Sequence, residues 1–195
     1  MLQPVSDMST EVEIQKLLTS AHLAEWLRQD LFQLKWWLLL ALTVVAVVIW
    51  WKLLDKRRLP EVLLYALLTM TVMMGVDEYG EELVLWDYPI DLVPIFPVIT
   101  AANLLILPLA YSLVYQKFTP GKSFLPVSVL VAALISFVFE PALAWSGYYQ
   151  LLTWKYYYAF PLYIAIALSV RWTVVKIFGV AAKAQKQPGQ GGGTW

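Results

Sequence analysis

FLPVSVLVAALISFVFEPALAW, residues 124–145, carries one charge, Glu140, in an otherwise apolar run. A helix rising ~1.5 Å per residue crosses the ~30 Å hydrocarbon core of a bilayer in about 20 residues, so this stretch reads as a membrane span. A carboxylate inside such a span costs on the order of a few kcal/mol, which makes Glu140 a candidate functional residue.

Four further blocks read the same way. Trp36–Trp51 is uncharged and bounded by Trp pairs, as an interfacial aromatic belt places them. Pro60 to about Glu81 opens with proline in a first turn and Glu61 at the positive end of the helix dipole. Leu92–Tyr115 carries no charge, and Pro108 predicts a kink in it. Tyr156 to about Val175 is interrupted only by Arg171. The expected fold class is all-α: a polytopic membrane bundle of five transmembrane helices preceded by an N-terminal amphipathic helix. Composition agrees, with 60% hydrophobic residues and a mean hydropathy of +0.63 arranged in blocks rather than alternating. Net charge is zero, which gives no support to nucleic-acid binding, and the absence of cysteine excludes disulfides, thiolate metal sites and thiol nucleophiles.

Basic residues set the expected orientation. The first connection holds Lys52, Lys56, Arg57 and Arg58, the second none, the third Lys117 and Lys122, and the fourth only Lys155. The first and third connections and the C-terminus are therefore expected in the cytoplasm, with the N-terminus outside a cell membrane. Residues 1–35 form an N-terminal unit in which Glu11–Leu34 reads as a helix, with Ile14, Leu17, Leu18 and Ala21 at helical spacing, lying on the outer surface or capping the bundle. Residues 36–178 form the five-helix domain, and 179–195 a Gly-rich, disordered cytoplasmic tail. No internal repeat is visible.

Depth brings acids together. Asp77 follows Pro60, and Glu140 follows Phe124, by nearly the same number of residues on helices that both run outward. At ~1.5 Å per residue both stand ~25 Å above the inner surface. Glu81 lies one turn above Asp77, Glu78 and Glu82 form a second such pair, and Ser136 lies one turn below Glu140. The candidate ligand-binding residues are Asp77, Glu78, Glu81 and Glu140, with Asn103 near mid-membrane and Trp145 beyond Glu140. Clustered carboxylates in a low-dielectric site hold a proton or a hard cation. The plain alternative is a protonated Glu140 donating to a carbonyl while the Asp77 group reaches the headgroups. Arg171 is expected to snorkel to the inner surface, and His22, lacking partners for a zinc site, to be a surface residue. The aromatic stretch GYYQLLTWKYYYAFPLY, residues 147–163, reads as an outer interfacial belt. There is no G-x-S-x-G, H-E-x-x-H, P-loop or dinucleotide turn, so no catalytic residue and no cofactor are expected.

The stretch from Phe139 to Ile177 resembles the C-terminal half of an uncharacterised family of small multi-pass membrane proteins of spore-forming Firmicutes. The likeness rests on Glu140, Gly147-Tyr148, Trp154-Lys155, Phe160-Pro161 and Arg171-Trp172, with Asp77 similar to an acidic position ending the second helix. It covers roughly residues 36–180 and implies the fold and the host, with no assigned reaction. Three functional readings stand: binding or conduction of a cation or small polar solute, a structural subunit of a membrane complex, and a lipid- or isoprenoid-modifying enzyme using carboxylic acids. The expected partners are the lipid bilayer and a cation or small solute. A faint likeness of the Asp77 region and LWDY to membrane carotenoid cyclases belongs to the third.

Overall fold

The computed structural model describes residues 6–94, 106–118 and 123–185, and these are mostly helical. Helix α1 (Ser6–Glu25) ends in a π turn over Trp26–Asp30, and the chain reverses through Phe32 at φ 63°. The single helix expected over Glu11–Leu34 is therefore broken at residues 31–33, after the π turn. From Val12 to Glu25 every residue of α1 is exposed, so its Ile14, Leu17 and Leu18 stripe packs on nothing among the described residues.

Helix α2 (Leu34–Leu53) follows, and a turn in which Asp55 accepts the Arg57 backbone N–H at 3.0 Å leads into α3 (Leu59–Glu82). Strand β1 (Trp86–Asp87) comes next, then α4 (Leu107–Phe118). Helices α5 (Phe124–Leu134) and α6 (Glu140–Ser146) make one rod, joined by a π turn over Ile135–Phe139. Strand β2 (Gln150–Leu151) and α7 (Tyr156–Gln185) complete the order. Among the described residues four segments are long and apolar enough to cross a membrane: α2, α3 with its leading turn, the α5–α6 rod, and α7. The expected third span is described only in part: Leu92–Pro94 is not helical, α4 covers its second half, and residues 95–105, with Thr100 and Asn103, lie outside the described residues. The last helix runs ten residues past Val175, so the segment expected to be a disordered tail from 179 is helical to Gln185.

Short connections fix the directions. β1 and β2 pair antiparallel, Trp86 opposite Leu151, so α3 and α6 end at the same end of the bundle. At the opposite end Gln116 of α4 accepts the Asp55 backbone N–H at 2.8 Å and donates to the Leu53 carbonyl at 3.1 Å, closing the α2–α3 turn onto α4. Helix α3 packs on α4 and α7, and α5 packs on the same two, which places α3 and the α5–α6 rod across a diagonal of a four-helix core. Tyr65, Tyr115, Phe124, Ala132, Tyr163 and Val174 are among its buried residues. Helix α2 is peripheral. Only Leu39 and Trp50 are buried on it, Leu40 is half-buried against Leu39, and its valines and other leucines are exposed, as bilayer-facing residues are.

Candidate functional site

Proline at 141 shapes the region around Glu140. Inside a helix, proline removes one backbone bond and crowds the carbonyl four residues back. The rod widens there into the π turn, with the Glu140 N–H bonded to the Ile135 carbonyl five residues earlier. Such insertions rotate the following residues and recur at functional sites. Here Glu140 is turned inward and is 5% exposed.

Across the diagonal, Asp77 sits near the C-terminal end of α3. Each acid receives a tyrosine: Tyr88 OH donates to Asp77 Oδ1 at 3.0 Å and Tyr163 OH donates to Glu140 Oε1 at 2.6 Å. Tyr88 reaches Asp77 because the chain doubles back after α3. The Trp86 indole lies flat over Gly80, where a Cβ would come within 1.9 Å of the ring. The backbone of β2 and of the segment after it then holds this turn, with the Leu85 carbonyl accepting N–H groups from Leu152, Thr153 and Trp154 at 3.1 Å.

Asp77 and Glu140 line one cavity of about 20 Å³, together with Trp86, Tyr88, Tyr149 and Tyr163. That volume holds about one water molecule. Two atoms of its lining residues, Trp86 Nε1 and Glu140 Oε2, are buried with no hydrogen-bond partner among the described residues. One is a donor and the other an acceptor, and both residues border the same water-sized space.

The other candidates fall elsewhere. Glu78 is exposed, and Glu81 is half-buried one turn above Asp77 without lining the cavity. Trp145 is 91% exposed and does not line the cavity. Asn103 lies outside the described residues. The aromatic residues were not singled out by sequence as site residues. Their signal is faint: Tyr163 and Tyr149 sit in the stretch that reads as an interfacial belt, and Tyr88 and Trp86 in a loop. Among the described residues no three histidine, aspartate or glutamate side chains gather closely enough to hold a metal ion.

A third acid lies in the segment after β1. Asp91 is 3% exposed, with Oδ2 3.4 Å from His22 Nε2. Its backbone carbonyl accepts the Trp26 indole N–H at 2.9 Å, which ties the end of α1 to this loop. Burial, then the neighbouring Asp30 and Asp87 carboxylates, push Asp91 up to about 7. His22, with its side chain 52% exposed, is a surface residue, as expected, and lies beside this acid. Burial likewise holds the Tyr88 and Tyr149 phenols well above their usual range, so both stay neutral. No family model, no curated protein and no solved structure matches the chain.

Proposed function

We propose that the protein is a cell-membrane protein of five spans, N-terminus outside, whose Asp77–Glu140 pair binds one small cation, a proton before any metal ion. The fifth span is the one that includes α4. Orientation rests on charge: Lys52, Lys56, Arg57 and Lys117 gather at one end of the bundle, and Asp77, Glu81, Asp87 and Asp91 toward the other, with the basic end cytoplasmic under the positive-inside tendency. The likeness to small membrane proteins of spore-forming Firmicutes supports the same membrane and host.

The observation that carries the reading is the cavity: two facing carboxylates, each with a tyrosine donor, around a volume of about 20 Å³. An isoprenoid chain or an organic solute needs far more room, since ligand sites run to roughly 300 Å³ and above. The indole N–H of Trp86 beside this space disfavours a bare metal ion, because it offers a positive edge where a ligand would need a lone pair. A proton carried on a carboxyl or on an enclosed water suits both Trp86 and Glu140.

Infrared difference spectroscopy on the detergent-purified protein tests this. Acidification should give a protonated-carboxyl band that shifts in D2O and is lost in Glu140→Gln. Competition by sodium or lithium would extend the reading to metal cations. Absence of any band assignable to Asp77 or Glu140 would defeat it and leave the structural-subunit reading ahead.

A further inference from the structure

Between the π turn that ends α1 and the first turn of α2 lies a cavity of about 280 Å³. Gln29, Asp30, Gln33, Lys35 and Trp36 line it, with Ile90 from the segment after β1. The left-handed Phe32 makes the elbow, and Trp36 ties it to that segment by donating its indole N–H to the Leu92 carbonyl at 3.3 Å. This space shares no residue with the Asp77–Glu140 cavity.

Two opposite charges border the cavity without pairing. Asp30 and Lys35 form no salt bridge, with each other or with any other group, among the described residues. Asp30 is half-buried, and the charges acting around it are Glu25, Asp91 and His22. Burial and then Glu25 raise its pKa, so its carboxylate gains from a positive partner. Lys35 stands in the first turn of α2, its ammonium 5.5 Å from the Tyr148 ring centroid. That turn has no side-chain cap, so the positive end of the α2 dipole adds to Lys35. A bare cation is opposed by Lys35, and a bare anion by Asp30 and Glu25. A ligand that carries both charges satisfies both, and the Gln29 and Gln33 amides offer further donors and acceptors.

Place in the fold selects a lipid among such ligands. Helix α2 is long and apolar enough to cross a membrane, and the cavity lies at its start, the level of headgroups. Beside it Phe32, Leu34, Trp37 and Leu38 are each at least half exposed, and the Phe32 ring stacks on Trp37 at 5.9 Å. These side chains offer acyl chains an apolar surface that continues along the exposed leucines and valines of α2. Organic-ligand sites begin at roughly 300 Å³, so the cavity has room for a headgroup and not for the chains. We propose that it binds the headgroup of a phosphatidylethanolamine-type lipid, with the ammonium on Asp30 and the phosphate on Lys35. An ethanolamine ammonium brings three N–H donors to Asp30 and the glutamine carbonyls, whereas a choline headgroup brings none. Quaternary ammonium groups are held by aromatic cages, and Trp36 is the single aromatic residue lining this cavity among the described residues.

Occupancy has a consequence for α1. From Val12 to Glu25 that helix is exposed, and its end meets the segment after β1 through Trp26 and His22 at Asp91. A headgroup held between Asp30 and Lys35 ties the end of α1 to the start of α2. The lipid therefore stabilises the elbow. None of this depends on the reading of Glu140.

The test uses the full chain in detergent and native mass spectrometry, with dioleoyl lipids of ethanolamine or choline headgroup added separately. Wild type should hold the ethanolamine lipid about tenfold more tightly, the weight of one charge-assisted hydrogen bond. Asp30→Asn should bring the two lipids to parity, and Lys35→Gln should weaken both, because both carry the phosphate. Lys183→Gln, at the far end of α7, and Glu140→Gln should change neither. Amide hydrogen exchange over residues 26–36 should slow when the ethanolamine lipid is added to wild type, and should not respond in Asp30→Asn. Equal retention of the two lipids by wild type, or a preference that Asp30→Asn leaves intact, overturns the proposal. Displacement of the lipid by an equal concentration of glycerophosphoethanolamine overturns the lipid as occupant, since the chains would then contribute nothing. The infrared band of Glu140 is read separately, so failure here leaves that site standing.

Discussion

Replacing Gly80 with alanine places a Cβ 1.9 Å from Cζ2 of Trp86, 2.3 Å from Cε2 and 2.4 Å from Cη2. Real Cβ contacts do not approach so closely, so the indole must leave its slot or α3 must move. Trp86 is 5% exposed and packs edge-on against Trp154 at 5.2 Å, so displacement forfeits part of the burial whose complete loss costs about 3–5 kcal/mol. Overpacking with relaxation costs about 1–3 kcal/mol. The expected destabilisation is about 2–4 kcal/mol, or a fall in Tm of roughly 5–15 °C for a chain of this length. Far-UV circular dichroism of the detergent-purified protein reads it. A double-mutant cycle isolates the cause. In a Trp86→Ala background the same Gly80→Ala change should cost nothing, and should gain roughly 0.5–1 kcal/mol from helix propensity. Gly80→Ala within about 0.5 kcal/mol of wild type, or equally damaging in both backgrounds, would show that the close fit of Trp86 on α3 does not hold the site.

Glu140→Gln keeps an acceptor for Tyr163 and should cost about 1 kcal/mol, whereas Glu140→Ala leaves that phenol unpaired and enlarges the cavity, for about 2–4 kcal/mol in the same melts; equal costs would refute the hydrogen-bond assignment. Asp91 is raised from 3.8 to about 7 on folding, so the folded state favours its protonated form. Its contribution is complete below about pH 4 and is lost as pH rises through about 7. Asp91→Asn should therefore remove the part of the fall in Tm between pH 5 and 8 that Asp91 causes, and an unchanged Tm–pH profile would count against it. Trp145→Ala should change stability by less than about 0.5 kcal/mol and leave proton uptake at Glu140 intact, because the side chain is 91% exposed; loss of uptake would return Trp145 to the site.

The spans were legible because burial in lipid demands long apolar runs, which survive as composition. Four expected spans correspond to membrane-length helices within a few residues at their starts. Equal depth also placed Asp77 and Glu140 at one level, because two helices running the same way share the same rise per residue. The aromatic half of the site was not legible. A tyrosine that hydrogen-bonds a buried acid and one that marks a headgroup belt look alike in sequence, and only chain reversal after α3 distinguishes Tyr88. Glu78 and Glu81 failed as cavity residues for a geometric reason: a step of one residue, or of a full turn toward the helix end, carries a side chain out of a space the size of one water. Trp145 likewise faces outward because the π turn fixes the rotation of α6.

The two halves of the site are built alike, which sequence conceals. Nine residues separate Asp77 from Trp86, and nine separate Glu140 from Tyr149. Each acid-bearing helix ends in the same closing motif, with an N–H reaching five residues back: Leu85 to the Gly80 carbonyl at 2.8 Å, and Tyr148 to the Leu143 carbonyl at 2.9 Å. The residue before each of these donors adopts a left-handed conformation, Val84 at φ 55° and Gly147 at φ 75°, each seven residues past its acid. That position ordinarily takes glycine. A β-branched residue there is strained, by about 1–2 kcal/mol for an L residue in this region, while glycine loses roughly 0.5–1 kcal/mol more backbone entropy on folding. Val84 is 59% exposed, so its side chain adds little by burial. Val84→Gly should therefore stabilise the protein by up to about 1 kcal/mol, or a rise in Tm of roughly 2–4 °C. Gly147→Val should destabilise it by at least the strain it introduces. If instead Val84→Gly lowers Tm, the valine holds the turn by contact rather than tolerating it, and the likeness of the two helix ends is one of backbone path alone.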